Sequence, residues 1–171
     1  MASSNKIFLI GFMGSGKTTL GKELAKKLDK PFFDLDLEIE KAESLSVNQI
    51  FERHGEAYFR DIESKVLQVL IANNSNFVLA LGGGTPCFNG NMDLVNSAGI
   101  SIYLKYNAGI LTSRLLNAKS ERPLIRGLNK LQLKEFVTSK LEEREFFYDQ
   151  ATCCIEKASL MLVELIELLN L

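Results

Sequence analysis

Eight consecutive residues, Gly11-Phe12-Met13-Gly14-Ser15-Gly16-Lys17-Thr18, fill every fixed position of the pattern G-x-x-x-x-G-K-[ST]. Their surroundings agree with it: Lys6 to Ile10 is an apolar run that reads as a buried strand, and Thr19 to Leu28 has helical spacing. A glycine-rich loop between a strand and a helix can turn successive backbone N–H groups inward, forming a concave nest for phosphate oxygens. The dipole of the following helix adds positive potential. Gly14, Ser15, Gly16, Lys17, Thr18 and Thr19 are therefore expected to cradle a nucleoside triphosphate. Lys17 would reach the β- and γ-phosphates, and the Thr18 hydroxyl would meet one Mg²⁺ ion bound with the nucleotide. The loop does not say what receives the phosphate.

Bulk properties narrow the remaining choices. A chain of 171 residues that is 46% hydrophobic suits a single domain with one large core. Twenty Lys and Arg against 21 Asp and Glu leave a formal charge of −1, so no overall basic field draws in nucleic acid or an anionic membrane. No apolar run reaches the roughly 18 residues of a membrane span. Met1 to Asn5 leads at once into the first strand without a targeting segment, and the expected compartment is the cytoplasm. Cys87, Cys153 and Cys154 make neither a C-x-x-C pair nor a disulfide framework. With Cys153 and Cys154 in a predicted buried strand, reduced core thiols are expected.

Further along, Phe32 to Leu35 reads as a short second strand ending in acid, and Asp36 opens a helical run. Helices are expected from Val47 to Arg53, with Ser46 as N-cap, and from Glu56 to Ile71. Phe77 to Leu81 is a continuous apolar run that stops at Gly82-Gly83-Gly84, as a buried parallel strand would. Strands at 100–104 and 151–155 alternate with helices at 91–97, 107–116, 131–148 and 160–169. Residues 117–129 lack periodicity and form a lid candidate. Alternating strands and helices imply parallel pairing through right-handed crossovers, hence an α/β sandwich whose ligands sit beyond the carboxyl ends of the strands. Gly11, Asp34 and Gly82 all emerge at that edge.

Several side chains there could carry chemistry. Asp34 could hold the hydration shell of Mg²⁺ or cap the next helix. Asp36 could take a proton from an attacking hydroxyl or only orient it. Arg144 interrupts an otherwise mostly apolar stripe formed by Leu133, Val137, Leu141 and Tyr148. Together with Arg60 it could grip a carboxylate, and a structural ion pair with Glu63 or Glu142 is the alternative for either arginine. Arg122 could brace the transferring phosphoryl group or be an exposed lid charge. Arg114 could stack on adenine or line a solvated helix face. His54, beside Gly55, reads as a local helix cap. The apolar 160–169 helix reads as core.

Taken together, Gly11–Thr18, Asp34-Leu35-Asp36, Phe59-Arg60-Asp61-Ile62-Glu63, Leu81-Gly82-Gly83-Gly84, Arg122-Pro123-Leu124 and Leu141-Glu142-Glu143-Arg144 through Tyr148 resemble the shikimate kinases in order and spacing along nearly the whole chain. The resemblance implies a P-loop, nucleoside-monophosphate-kinase-like fold with a five-stranded parallel sheet in the order 2-3-1-4-5. It implies Mg²⁺-dependent transfer of the γ-phosphoryl group of ATP to the 3-hydroxyl of shikimate by one domain, 1–171, acting as a monomer, with a shikimate-binding helical region at about 34–62 and a lid at about 117–129.

By position in the motifs, Asp36 would hold the reacting hydroxyl, and Arg60, Arg144 and the backbone of Gly83 would bind shikimate. Lys17 and Arg122 would bracket the phosphates, and Thr18 and Asp34 would place magnesium. The sequence departs from the family pattern at 156–159, where Glu156 replaces a more typical basic residue and the loop is shorter. The rivals are a gluconate-type kinase and a nucleotide-dependent switch without an acceptor. Asn129-Lys130-Leu131-Gln132 lacks the final Asp of a guanine-recognition motif, which weakens the GTPase form of the switch.

Overall fold

A computed structural model describes residues 5–118, 123–156 and 165–167. In chain order it contains β1 (Lys6–Ile10), α1 (Lys17–Lys27), β2 (Phe32–Asp34), α2 (Leu35–Glu43), α3 (Val47–Asn73), β3 (Phe77–Ala80), α4 (Asn91–Ala98), β4 (Ile100–Leu104), α5 (Ala108–Leu116), α6 (Lys130–Tyr148) and β5 (Cys153–Ile155). Short 3-10 turns occupy Thr85–Cys87 and Pro123–Ile125. The five strands are parallel in the order β2-β3-β1-β4-β5. This is the expected order, with β1 in the centre, Leu9 paired with Ala80 of β3 on one side and with Ile102 of β4 on the other.

Alternation along the strands splits the core into two layers. Phe8 and Ile10 of β1 join Phe77, Leu79 and Tyr103 beneath α2, α3 and α6, while Ile7 and Leu9 join Val78, Ile102 and Leu104 beneath α1. Four successive β1 residues, Ile7 to Ile10, are fully buried, which explains why the strand reads as an unbroken apolar run.

Helix ends follow local chemistry. Ser46 and Gln49 form a reciprocal capping box at the start of α3, and Asn129 and Gln132 form one at the start of α6. Gly55, at φ 81° and ψ 177°, breaks α3 where two helices are expected, with both halves continuing across the kink. His54 does not act as the expected cap. Its ring lies against Tyr58, with centroids 4.7 Å apart. Cys153 is half-buried and Cys154 exposed, contrary to the core placement expected, because β5 is the outermost strand and pairs on one side only. Leu165 is buried with Leu104 and Ile155, and the rest of the expected 160–169 helix, apart from 165–167, lies outside the described residues.

Candidate active site

Beyond β1 the chain turns through Gly11, Gly14 and Gly16, whose φ values of 142°, 81° and 92° lie where side chains are disfavoured. Gly16 then caps α1. Lys17 folds back across this loop, its Nζ donating to the carbonyls of Gly11 (2.8 Å) and Phe12 (2.9 Å). Ser15 Oγ is buried within the loop without a hydrogen-bond partner among the described residues.

Asp34 serves two neighbours at once. Its Oδ1 accepts from the backbone N–H of Asp36 (3.2 Å), capping α2, while its Oδ2 accepts from Thr18 Oγ1 (2.8 Å). The cap reading of Asp34 is thus seen on one oxygen, and the other oxygen faces the Thr18 hydroxyl. A hydroxyl and a carboxylate side by side make an all-oxygen donor pair of the kind suited to a hard cation that keeps most of its water. No group of three or more His, Cys, Asp or Glu gathers among the described residues, so a cation at Thr18 and Asp34 would draw its other ligands from solvent or nucleotide.

A cavity of about 310 Å³ lies over the loop, bordered by Gly14, Gly16, Lys17, Thr18, Thr19 and Arg114. Arg114 is exposed, as a solvated helix face would have it, and it also reaches the phosphate loop. Nη1 donates to the carbonyls of Gly14 and Ser15 (3.3 Å each), and its guanidinium lies 4.2 Å from the centroid of Tyr106. A further cavity of about 440 Å³ runs from there past Tyr106 to Leu104, Ile155 and Leu165.

On the other side of Asp34 and Asp36 is a cavity of about 440 Å³ walled by α2, α3, the glycine run and Arg144. It shares Met13, Thr18, Asp34, Asp36, Gly82 and Gly83 with the cavity over the loop. The two spaces therefore meet at the carboxyl ends of β1, β2 and β3.

The two arginines reach this second cavity in different states. Arg60 is 7% exposed and pairs with Glu56 (3.0 Å) and with fully buried Glu63 (2.9 Å). The ion pair considered as an alternative for Arg60 is thus present, and Arg60 also lines the cavity. Arg144 is 8% exposed, has no carboxylate within ion-pair distance among the described residues, and lies 5.4 Å from the ring centroid of Phe12. A buried cation in that condition is poised for an anion that enters the cavity. Beside it, Tyr148 donates a hydrogen bond to the Gly83 carbonyl, and burial pushes its phenol well above the ordinary tyrosine range.

The glycine run makes room for these charges. A Cβ on Gly82 would stand 2.9 Å from Glu63 Oε1 and 3.3 Å from Asp36 Oδ1; on Gly83, 3.4 Å from Arg144 Nη1; on Gly84, 2.6 Å from Arg60 Nη2. None of the three has a positive φ, so close approach is what requires glycine here.

Glu63 lines the cavity, with Thr85 and Tyr148 bonded to its wall at Glu63 and Gly83. Glu63 is held by Arg60 and by the Thr85 hydroxyl at 2.6 Å. Its position three residues after Arg60 was the available signal for it. Arg122 and the neighbouring 119–121 of the expected lid, with 157–159 of the atypical loop, lie outside the described residues.

With this geometry in place, comparisons with known proteins are informative. A family model described as shikimate kinase matches residues 13–166. A protein named shikimate kinase from Azobacteroides pseudotrichonymphae is 48% identical over 147 residues, covering 86% of each chain. The crystal structure of shikimate kinase from Bacteroides thetaiotaomicron superposes with a TM-score of 0.91 at 38% identity, covering 97% of this chain and 98% of that one. Shikimate kinase from Acinetobacter baumannii, solved in complex with shikimate, gives 0.83 at 33% identity and covers 97% and 90%. Two cavities joined at a phosphate loop, in a chain matched along most of its length, make this protein a member of the shikimate kinase family and hence an ATP-dependent kinase.

Proposed function

We propose that this chain transfers the γ-phosphoryl group of ATP to the 3-hydroxyl of shikimate, giving shikimate 3-phosphate and ADP. The observation that carries the reading is the junction at Thr18, Asp34, Asp36, Gly82 and Gly83, where the space over the phosphate loop opens into the arginine-lined space. Donor and acceptor would meet there.

In the loop cavity, backbone N–H groups from Gly14 to Thr19 hold the phosphates. Lys17 exchanges the Gly11 and Phe12 carbonyls for phosphate oxygens, while Arg114 borders the base and Arg122 braces the transferring group. Thr18 and Asp34 would hold one Mg²⁺ ion, which when bound would neutralise phosphate charge. In the acceptor cavity, Arg60 and Arg144 take the carboxylate of shikimate and the Gly83 backbone supports its ring.

Asp36 orients the 3-hydroxyl and accepts its proton as that oxygen bonds to the γ-phosphorus. The bond from phosphorus to the bridging oxygen breaks, and ADP leaves with the electron pair. Closure of 117–129 excludes water that would otherwise compete as acceptor. A single-domain monomer in the cytoplasm completes this reading.

ADP release from Mg-ATP by purified protein, with and without shikimate, tests this reading. Strong dependence on shikimate is expected. Dependence on gluconate instead would restore the gluconate-type kinase, and nucleotide binding with no acceptor-dependent release would restore the switch.

A further inference from the structure

The edges of the Arg60 guanidinium are pinned by acids. Nε and Nη2 donate to Glu56 Oε1 (3.3 and 3.0 Å), and Nη1 donates to Glu63 Oε2 (2.9 Å). A guanidinium has five N–H donors and three are committed here, so one remains on each terminal nitrogen for an incoming anion. In-plane bonds fix those edges but resist tilting of the plane poorly. An aromatic ring supplies the missing restraint: the centroid of Phe88 lies 4.3 Å from Arg60 Cζ, closer than that of Phe59 at 5.2 Å.

Phe88 is 37% exposed, so the core does not explain its position. The segment that carries it is tied to α3 on both sides. Before it, Thr85 Oγ1 donates to Glu63 Oε1. After it, Asn89 takes φ 53°, a conformation uncommon outside glycine, and its side-chain amide donates to the Arg60 carbonyl (3.1 Å) and to Ser64 Oγ (3.0 Å). Between these anchors the ring is delivered onto the guanidinium face.

We infer that Phe88 is a positioning residue for the acceptor: lying over Arg60, it holds the guanidinium plane so that the two uncommitted N–H groups meet the acceptor carboxylate together. The inference rests on the reading of Arg60 as a carboxylate ligand. It gives an aromatic ring outside the cavity a part in shikimate affinity and none in nucleotide affinity.

Steady-state kinetics of the full chain test it, with Phe88→Leu, Phe88→Tyr and Arg60→Lys compared after thermal melting has established that each is folded. Phe88→Leu keeps apolar bulk but loses the π face, and is expected to raise the KM for shikimate about threefold to tenfold, the range that a partly desolvated cation–π contact spans. The KM for ATP should stay unchanged. Phe88→Tyr, which keeps the face, should restore the wild-type KM for shikimate.

If Arg60→Lys raises that KM while Phe88→Leu does not, or if Phe88→Leu raises both KM values together, the role of Phe88 is overturned and the Arg60 reading survives. If Arg60→Lys leaves shikimate affinity intact, the Arg60 reading falls and the Phe88 role falls with it.

Discussion

Gly84 and Arg60 are so close that a methyl group on the glycine would stand 2.6 Å from Nη2 and 2.8 Å from Nη1 of the guanidinium. A flexible arginine could swing aside, but this one is pinned by Glu56 and Glu63. Gly84→Ala should therefore displace the guanidinium proposed to take the carboxylate. Shikimate affinity is expected to fall at least about tenfold, the scale of losing one charge-assisted hydrogen bond, while ATP affinity is retained. Calorimetric titration with each ligand separately checks the split.

Glu63 and Glu56 both pair with Arg60, yet their removal should differ sharply. Glu63 is wholly buried, and Glu63→Ala leaves a buried cation and the Thr85 hydroxyl short of an acceptor. Breaking a buried pair from one side costs about 3 kcal/mol or more. Glu56 has a half-exposed side chain, and Glu56→Ala should cost under about 1 kcal/mol. Urea unfolding of the two variants, compared at constant slope, measures the difference.

The Thr18–Asp34 bond predicts a change in metal dependence. Asp34→Asn removes the negative charge but keeps an oxygen to cap α2 and to accept from Thr18. The Mg²⁺ concentration for half-maximal activity should rise about tenfold, with the melting temperature nearly unchanged, because the loss is of charge at a hard-cation site. An unchanged Mg²⁺ titration would remove Asp34 from the metal site.

The cysteines should differ in accessibility, although the sequence reads all three as core thiols. Cys154 is exposed on the outermost strand, whereas burial pushes the Cys87 thiol up to about 11. Folding favours the neutral thiol of Cys87. Its contribution to stability is therefore present below the ordinary thiol range and lost as pH rises from about 9 through about 11. Brief alkylation of folded protein at pH 8, read by peptide mass spectrometry, should modify Cys154 first and Cys87 last.

What could be read in the sequence was whatever depends on spacing within one element. The β1–loop–α1 unit, the break at Gly55 and the buried stripe of α6 that carries Arg144 all have local signatures, and the structure bears them out. Strand order was legible because alternating strands and helices, together with the family resemblance, leave few topologies.

Contacts between distant segments were not legible. Nothing near Phe88 announces that its ring will cover Arg60, and nothing near Tyr106 announces that it will meet Arg114. The burial of Cys153 and Cys154 was misjudged although the expected order already put β5 at an edge, because an apolar stretch was read as buried without weighing that an edge strand is covered on one side only. Asp34 was framed as a choice between cap and metal ligand, whereas a carboxylate has two oxygens and can face both ways.

Because β1 and β3 are hydrogen-bonded neighbours, the phosphate loop and the glycine run proposed to face nucleotide and acceptor leave the sheet one strand spacing apart. That spacing, about 4.8 Å, is set by backbone ladders, which are indifferent to side-chain identity. The span a phosphoryl group must cross is thus insulated from change in the helices. Lineages could remodel α2, α3 and the lid to admit a different acid or alcohol while inheriting the same transfer distance. A one-residue slip of β3 against β1 would spoil transfer for every acceptor at once.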